Sequence, residues 1–528
     1  MAAGKRISVE PDLRPSTLRS GDWTSWETQK WVFLALAAIY LAARLYHLAA
    51  VCLDGDEIFS VGVSRQSWAA LTAAAAADSI HPPLFYYLLK IWMFLGNDSL
   101  LWVRLLPALF SVASVLPILL LGRELRLRPV EINTTLGIAA VHPYLIFYSQ
   151  HVRMYTLLML CALTSLWLFH RTIRAGLRSG AGRYAALTLV NVVLVYSQYY
   201  GWLVVGLEVW YVILWKREHL RRAFLSAGIT LAAFSPWLYL AATHAYAKGG
   251  LGSNLSWIQK PTIEDLTWLS SDFAGFGEFP GLGRLAVAAM VALAILTAAA
   301  AWLERRRLHG RRYARTVGFL LFFAVCSIAV PFCASRIMSS SVWGHRHLIF
   351  LVAPLLMLVV SAYYRARSRA VRVSGAVLCA AWACLAIQHH VRGDDKKTPF
   401  DSLVIQMLAR EEGNSGPLPF FSVDKYLHYP IWFYLETLKS GRQTGFAVSF
   451  SAADLRKLSK EAARIDVKSD VSIDEARGAH FWVGYTSSWQ GKTLPEALMI
   501  QRGCRTGADA VVGDRFHTIT IFPVWCGL

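Results

Sequence analysis

The sequence has few charged residues: they occupy only 16% of its 528 positions, whereas soluble domains average about 25%. Because 55% of the residues are hydrophobic, too few charges remain to cover a water-facing surface. This composition excludes a soluble globular protein and a disordered chain, and it indicates a membrane protein. The net charge of +19 does not indicate nucleic-acid binding, because the basic residues do not form one accessible patch.

Cysteine is also scarce. The eight cysteines include no CxxC pair, and none lies at metal-ligand spacing from a histidine. A disulfide scaffold and a structural zinc site are therefore excluded. We expect no cleaved signal peptide, because the first apolar run begins near Trp31, follows a polar stretch and is about 20 residues long.

Long apolar runs dominate the rest of the sequence. Runs of about 17 to 22 such residues can cross about 30 Å of hydrocarbon as helices. Eleven spans are predicted, at 31–52, 102–121, 132–149, 153–170, 184–198, 201–215, 222–243, 284–303, 315–333, 347–363 and 372–388. We therefore expect a polytopic α-helical membrane protein of about 11 spans, with 12 or 13 as alternatives.

The basic residues predict the orientation, because short cytoplasmic loops retain Lys and Arg. Of the 53 basic residues, 26 lie in six short segments that eleven spans place on one face: 1–30, 122–128, 170–183, 216–222, 304–315 and 365–372. We therefore expect a multi-pass inner-membrane protein with a cytoplasmic tail (1–30), a transmembrane domain (31–388) and a periplasmic α/β domain (389–528).

The apolar segment 81–96 is interpreted as a helix at the outer interface. Counting it as a span would move the basic loop 122–128 to the outer face, and Pro82 and Pro83 suit the start of a helix. The alternative is that 81–96 does span and that this loop breaks the charge rule.

The C-terminal part, residues 389–528, has ordinary charge density. Its alternating runs at 420–423, 446–450, 480–485 and 518–525 predict strands between helical stretches, and hence a small α/β domain. Cys504 and Cys526 are its only cysteines. An oxidising compartment would allow them to form a disulfide, and two free thiols are the alternative.

An acidic cluster follows the first predicted span, in CLDGDEIFS (52–60), and the loop after it ends at His81. A carboxylate at a membrane surface with an imidazole nearby can act as a general base toward a hydroxyl or an amine. The same acids could instead simply mark the water interface.

The sequence resembles the GT-C superfold glycosyltransferases, in the bacterial branch related to protein O-mannosyltransferases and lipid A aminoarabinose transferases. The resemblance rests on DGDEIFS, HPPLFYYLLKIW, LLWVRLLPALFSVASVLPILLLGREL, YSQHVRMYTLLML and HRHLIFLVAPLL. It implies transfer of a sugar from a polyprenyl-phosphate carrier to an acceptor at the outer face. By position it also implies Asp56 as the catalytic base, with Glu57 beside it.

Such a donor requires cationic groups that stabilise the leaving phosphate. The candidates at predicted outer ends of spans are His81, His151, Arg153, His345, Arg346 and His347. Arg153 and Arg346 are preferred, because a guanidinium makes fork-like phosphate contacts. Tyr155 is assigned to packing or donor positioning. The alternative is that these residues anchor helix ends or contact lipid headgroups.

The sequence leaves a divalent metal open but favours metal-independent transfer. His151 stands where related chains commonly have an acid, and no Asp or Glu occurs between Asn133 and Leu207. A mixed site of Asp56, Glu57, His81 and His151 is the alternative.

The outer loop 244–283 holds two tryptophans, Trp257 and Trp268, that could anchor the interface or stack on a sugar. Its four acids are expected to be solvated rather than catalytic: Glu264, Asp265, Asp272 and Glu278.

Two rival functions remain. A flippase or transporter for lipid-linked sugars would need ionisable groups deep in the spans, and Arg44 and Glu208 are the chief candidates. A ligase or polymerase using polyprenyl diphosphate would need more cations than the sequence provides. The sequence specifies neither the sugar nor the acceptor, which could be a lipid, a protein or a glycan.

Overall fold

The computed structural model describes residues 25–176, 180–247, 258–275, 308–366, 368–392, 398–410, 420–422, 427, 430, 431, 433, 434, 480–487, 494–501, 503–513 and 518–526. The predicted span 284–303, the predicted strand 446–450, Trp257 and Glu278 lie outside these residues.

The first part of the chain forms helices connected by short turns. They are α1 Trp26–Leu45, α2 Gly55–Arg65, α3 Trp68–Asp78, α4 Leu84–Leu95, α5 Leu100–Ala113, α6 Val115–Glu124, α7 Pro129–Val141, α8 Pro143–Ser149 and α9 Tyr155–Ala175. After α9 come α10 Ala181–Ser197, α11 Tyr200–Trp215, α12 Leu220–Ala247, α13 Ile263–Phe273, α14 Leu308–Ile337, α15 Val352–Arg365 and α16 Arg369–Arg392. A 3-10 helix, His345–Leu351, leads into α15.

Within the described residues, six helical segments are long and apolar enough to cross a membrane. They are Leu100–Glu124, Tyr155–Ala175, Arg217–His244, Tyr313–Ile337, His345–Arg365 and Arg369–Arg392. Helices α10 and α11 are apolar but have only 17 and 16 residues. The protein is therefore a polytopic membrane protein, and the count of eleven spans stays a prediction.

The segment 81–96 contains α4, a helix of 12 residues. A helix of that length extends about 18 Å, which is too short for about 30 Å of hydrocarbon. Helix α4 packs against α2 and α5. This agrees with the interpretation of 81–96 as a helix that does not span.

The predicted span 132–149 is interrupted at His142, between α7 and α8. Pro143 has no N–H, so the Ala139 carbonyl lacks its helical donor. The fully buried Arg44 replaces it, since Arg44 Nη2 donates to the Ala139 carbonyl at 2.8 Å and Nη1 donates to the Ala140 carbonyl. A cation at the C-terminal end of α7 also meets the negative end of its dipole. Arg44 therefore stabilises a broken helix.

Replacing Arg44 by Met should lower the thermal midpoint of the detergent-purified protein by several degrees, because two buried carbonyls lose their donor. The exposed Arg217, whose Nε donates to Ile213 of the preceding turn, provides a matched control, and its replacement by Met should change the midpoint little. Equal midpoints for both variants would contradict the capping role.

Several of the basic segments lie together at one end of the helix bundle. Glu131 accepts from Arg365 at 2.7 Å and from Arg128 at 3.0 Å. Glu124 pairs with Arg174 at 2.7 Å. The described residues of the segments 122–128, 170–183 and 365–372 therefore share one end, as the predicted orientation requires.

Among its described residues, the C-terminal part contains a five-stranded sheet and two short helices, α17 Phe400–Arg410 and α18 Pro495–Gln501. The strands are β1 Phe420–Ser422, β2 His480–Thr486, β3 Cys504–Thr506, β4 Ala510–Gly513 and β5 Thr518–Cys526. Their order is β1-β2-β5-β3, with β4 also paired to β5, and only β1 and β2 are parallel. The strands predicted near 420, 480 and 518 are confirmed. Cys504 and Cys526 face each other across β3 and β5 and form a disulfide.

The C-terminal part packs directly on the helix bundle. Phe400 and Leu403 of α17, together with Leu427 and Ile431, belong to the same buried hydrophobic core as the helices of the bundle. Hydrogen bonds of Cys52 with Thr398 and of Leu53 with Tyr434 place the C-terminal part beside the segment that precedes α2.

Candidate functional site

Helix α2 carries the acidic cluster at its first turn. Asp54 is the N-cap: its Oδ1 accepts from the Glu57 amide at 3.0 Å, and Glu57 Oε2 accepts from the Asp54 amide at 3.1 Å. This reciprocal capping box fixes where the helix begins. Asp56 lies in the first turn, where the helix dipole stabilises a carboxylate, and 43% of its side chain is exposed.

Glu57 is fully buried and forms an ion pair with Arg104 of α5. Arg104 donates to both carboxylate oxygens, at 3.0 and 3.2 Å. It also donates to the carbonyls of Val51 and Cys52. One guanidinium therefore holds both the segment before α2 and the first turn of α2.

Glu57 joins this segment to a second one between α8 and α9. Its Oε1 accepts from the Val152 amide at 2.9 Å. The next residue, Arg153, donates through Nη1 to the Asp56 carbonyl and to Ser60 Oγ, both at 3.3 Å. Because Glu57 is buried and bonded on both oxygens, its position fits a role in holding these segments together.

A third segment comes from the 3-10 helix before α15. Arg346 Nη1 lies 3.3 Å from Asp56 Oδ2, although the two residues are 290 positions apart. The guanidinium also lies 5.8 Å from the centre of the Tyr155 ring. Gly344 is required here, because a Cβ at this position would lie 2.5 Å from His347 Cδ2.

The histidines line the same region. The His81 and His347 rings are 5.9 Å apart, and His151 Nδ1 lies 3.6 Å from Asp54 Oδ2. His345 Nε2 lies 3.5 Å from Asp272 Oδ2 on α13. Burial and the charge of Arg153 lower the pKa of His81 well below its usual range, so this imidazole is neutral at physiological pH.

The structure thus brings together the candidate residues that the sequence analysis identified. They are Asp56, Glu57, His81, His151, Arg153, Tyr155, His345, Arg346 and His347.

The charges at this cluster favour an anionic ligand. Partial removal from water raises the pKa of the Asp56 carboxyl, but the positive charges of Arg153 and Arg346 outweigh this effect and lower the pKa to about 2. Asp56 is therefore ionised at neutral pH. Arg346, whose side chain is 32% exposed, pairs with the carboxylate, and Arg153 bonds to the backbone carbonyl of the same residue.

The possible metal ligands form a different set from the one that the sequence predicts. Ligand atoms of Asp54, Glu57 and His151 lie within 4.8 Å of one another, without Asp56 or His81. The Arg104 guanidinium already occupies both oxygens of Glu57, and its charge opposes a cation at the same place. These residues fit a divalent metal poorly, so no step is assigned to one.

Four residues of the site were not identified from the sequence: Ser60, Tyr86, Gln198 and Asp272. Tyr86 OH lies 3.5 Å from Arg153 Nη1, and Gln198 Nε2 lies 3.1 Å from His347 Nδ1. The expectation that Asp272 is solvated is wrong, since its side chain is only 19% exposed and lies beside His345. Tyr86 lies within HPPLFYYLLKIW, one of the segments on which the family resemblance rests, and this position was the sequence signal that could have identified it.

No protein-family model and no curated protein matches the sequence. Among solved structures, the chain is similar to ArnT from Cupriavidus metallidurans bound to undecaprenyl phosphate. The TM-score is 0.53 at 14% identity, over 93% of this chain and 98% of that chain.

The chain is also similar to the archaeal oligosaccharyltransferase AglB from Archaeoglobus fulgidus, in complex with an inhibitory peptide and a dolichol-phosphate. This TM-score is 0.51 at 12% identity, over 87% of this chain and 70% of that chain. At such low identity the likeness shows the fold alone: this chain shares the fold of these two proteins.

Replacing Arg104 by Met should cost about 3–5 kcal/mol of stability, because it leaves the Glu57 carboxylate buried without its cation. Adding Glu57→Gln to this variant should recover part of the loss. The measurement is thermal unfolding in detergent. Lys30→Met is the control, since it removes the exposed pair of Lys30 and Glu27, which contributes little to stability. Equal losses for the Arg104 and Lys30 variants would contradict the assignment.

Proposed function

We propose that this protein is an integral membrane glycosyltransferase of the GT-C type. It moves a sugar from a polyprenyl-phosphate carrier to a hydroxyl or amine of an acceptor at the outer, periplasmic face of the inner membrane. The observation that carries the proposal is the 3.3 Å pair of Asp56 and Arg346, with Arg153 bonded to the backbone carbonyl of Asp56. A base and two cations in one place are what transfer from a lipid-linked sugar phosphate needs.

Asp56 is the general base in this mechanism. Its carboxylate accepts the proton of the acceptor while the acceptor oxygen or nitrogen attacks the anomeric carbon of the sugar. The bond between that carbon and the phosphate oxygen breaks, and polyprenyl phosphate leaves as an anion. Glu57 takes no part in proton transfer and instead holds Asp56 and Arg153 in register.

Arg153 and Arg346 bind the phosphate of the donor and stabilise the charge that develops on it. When Arg346 turns from Asp56 to the phosphate, the Asp56 carboxylate loses a positive neighbour and its pKa rises. Donor binding thus converts a weak base into a stronger one. Tyr155, His81, His151 and His345 line the space around the two groups.

The donor class is supported by the lipids in the similar structures: ArnT was solved with undecaprenyl phosphate and AglB with a dolichol-phosphate. The charge distribution supports the outer location. Basic segments meet at one end of the bundle, around Glu124 and Glu131, which the positive-inside rule assigns to the cytoplasm. The site lies on loops expected at the opposite face.

The two buried charges that kept a transport function open have local partners. Arg44 caps α7, and Glu208 accepts from Ser165 Oγ at 2.6 Å and from Asn191 Nδ2 at 2.7 Å. Neither residue therefore indicates a transport path through the membrane. Sugar transfer is better supported than transport.

Replacing Asp56 by Asn should reduce transfer by about 10²-fold or more, since the base is lost while the arginines remain. The measurement is mass spectrometry of envelope lipids and glycans from cells that lack the protein and carry the variant. Wild-type protein should restore the missing saccharide and the Asn variant should not.

Glu264→Gln, at an exposed acid on α13, is the matched control and should restore the saccharide as the wild type does. Full restoration by Asp56→Asn would refute the mechanism and favour a transport function.

The pH dependence of kcat/KM reports ionisations of the free enzyme. Because the pKa of Asp56 is lowered to about 2, its carboxylate is present throughout the neutral range and is lost only in strong acid. In Arg346→Gln, which removes one positive neighbour, the acid limb should move to higher pH by about one pH unit. An acid limb at the same pH in both proteins would contradict the assignment of Asp56.

A further inference from the structure

The segment 51–54, immediately before α2, receives a hydrogen bond from the C-terminal part of the chain. Tyr434 OH donates to the Leu53 carbonyl at 3.0 Å, across 381 positions of sequence. Leu53 is fully buried and Tyr434 is 3% exposed. Burial raises the pKa of Tyr434 well above its usual range, so the hydroxyl keeps its proton and remains a donor.

A second contact reinforces the first. The Cys52 thiol donates to the carbonyl of Thr398 at 3.4 Å, just before α17. Both residues are buried. Two successive residues before the N-cap of α2 are therefore held by the C-terminal part, while Arg104 holds the Cys52 carbonyl from the side of the bundle.

The Leu53 carbonyl does not receive the usual helical hydrogen bond from the amide four residues later. The amide four residues later, that of Glu57, is already bonded to Asp54 Oδ1 in the capping box. The first helical hydrogen bond of α2 runs from the Ile58 amide to the Asp54 carbonyl. The Leu53 carbonyl therefore lies one residue outside the helix, and Tyr434 supplies a donor from outside α2.

We propose that Tyr434 is a positioning residue for Asp56, through which the C-terminal part completes the active site. The Tyr434 hydroxyl fixes the Leu53 carbonyl, and this fixes the N-terminal turn of α2 that carries Asp56 three residues later. The inference rests on the proposed function for its catalytic consequence, but the contact itself can be tested without turnover.

The test is Tyr434→Phe, which removes only the hydroxyl and keeps the ring in the core. With the sugar donor as substrate, kcat should fall roughly tenfold, because a small displacement of a catalytic group is costly. The KM for the donor should stay near the wild-type value, because Arg153 and Arg346 are retained. Tyr485→Phe is the matched control, since its hydroxyl donates to Glu496 within the C-terminal part at 2.8 Å.

Hydrogen–deuterium exchange of the ligand-free protein in detergent gives the second readout. Amides of the peptide covering 52–58 should exchange faster in Tyr434→Phe than in Tyr485→Phe or in the wild type. Unchanged exchange in that peptide, or faster exchange with wild-type kcat, would overturn the positioning role. If the wild-type protein transfers no sugar, the proposed function fails, while the exchange result still decides whether Tyr434 holds the segment.

Discussion

The buried ion pair between Glu57 and Arg104 is the constraint on which the candidate site depends. A buried carboxylate is tolerated only when a cation and further donors surround it. Glu57 meets this condition by taking Arg104 from α5 and the Val152 amide from the segment before α9. The first acidic turn and the segment of Arg153 therefore cannot move independently. The Glu57–Arg104 pair fixes the first turn of α2, and Asp56 on the same turn is partly exposed to solvent.

The positive charges around Asp56 determine how basic its carboxylate is. Arg346 pairs with the carboxylate and Arg153 bonds to the backbone carbonyl of the same residue, and the charges of both arginines keep the carboxylate ionised but weakly basic. In the mechanism proposed above, the anionic donor phosphate competes with Asp56 for Arg346. Under that proposal donor binding is coupled to the strength of the base by electrostatics, and the two partners come from distant parts of the sequence.

The sequence predicted those parts that depend on local pattern: the apolar helices, the strands near 420, 480 and 518, and the site residues within the segments that carry the family resemblance. It did not predict contacts that depend on which helix faces meet. Arg104 lies inside an apolar run, so hydropathy gives no sign of its pairing with Glu57. Similarly, no periodicity connects Tyr434 with Leu53, and the break at His142 depends on Arg44 as well as on Pro143.

The central claim is that Asp56 and the donor phosphate compete for Arg346, and binding of undecaprenyl phosphate tests it most directly. Native mass spectrometry of the detergent-purified protein can compare wild type, Asp56→Asn and Arg346→Gln without any turnover. We expect Asp56→Asn to bind the lipid at least as tightly as the wild type, and Arg346→Gln to bind it more weakly. Equal affinity in all three proteins would show that the phosphate binds elsewhere and would contradict the account.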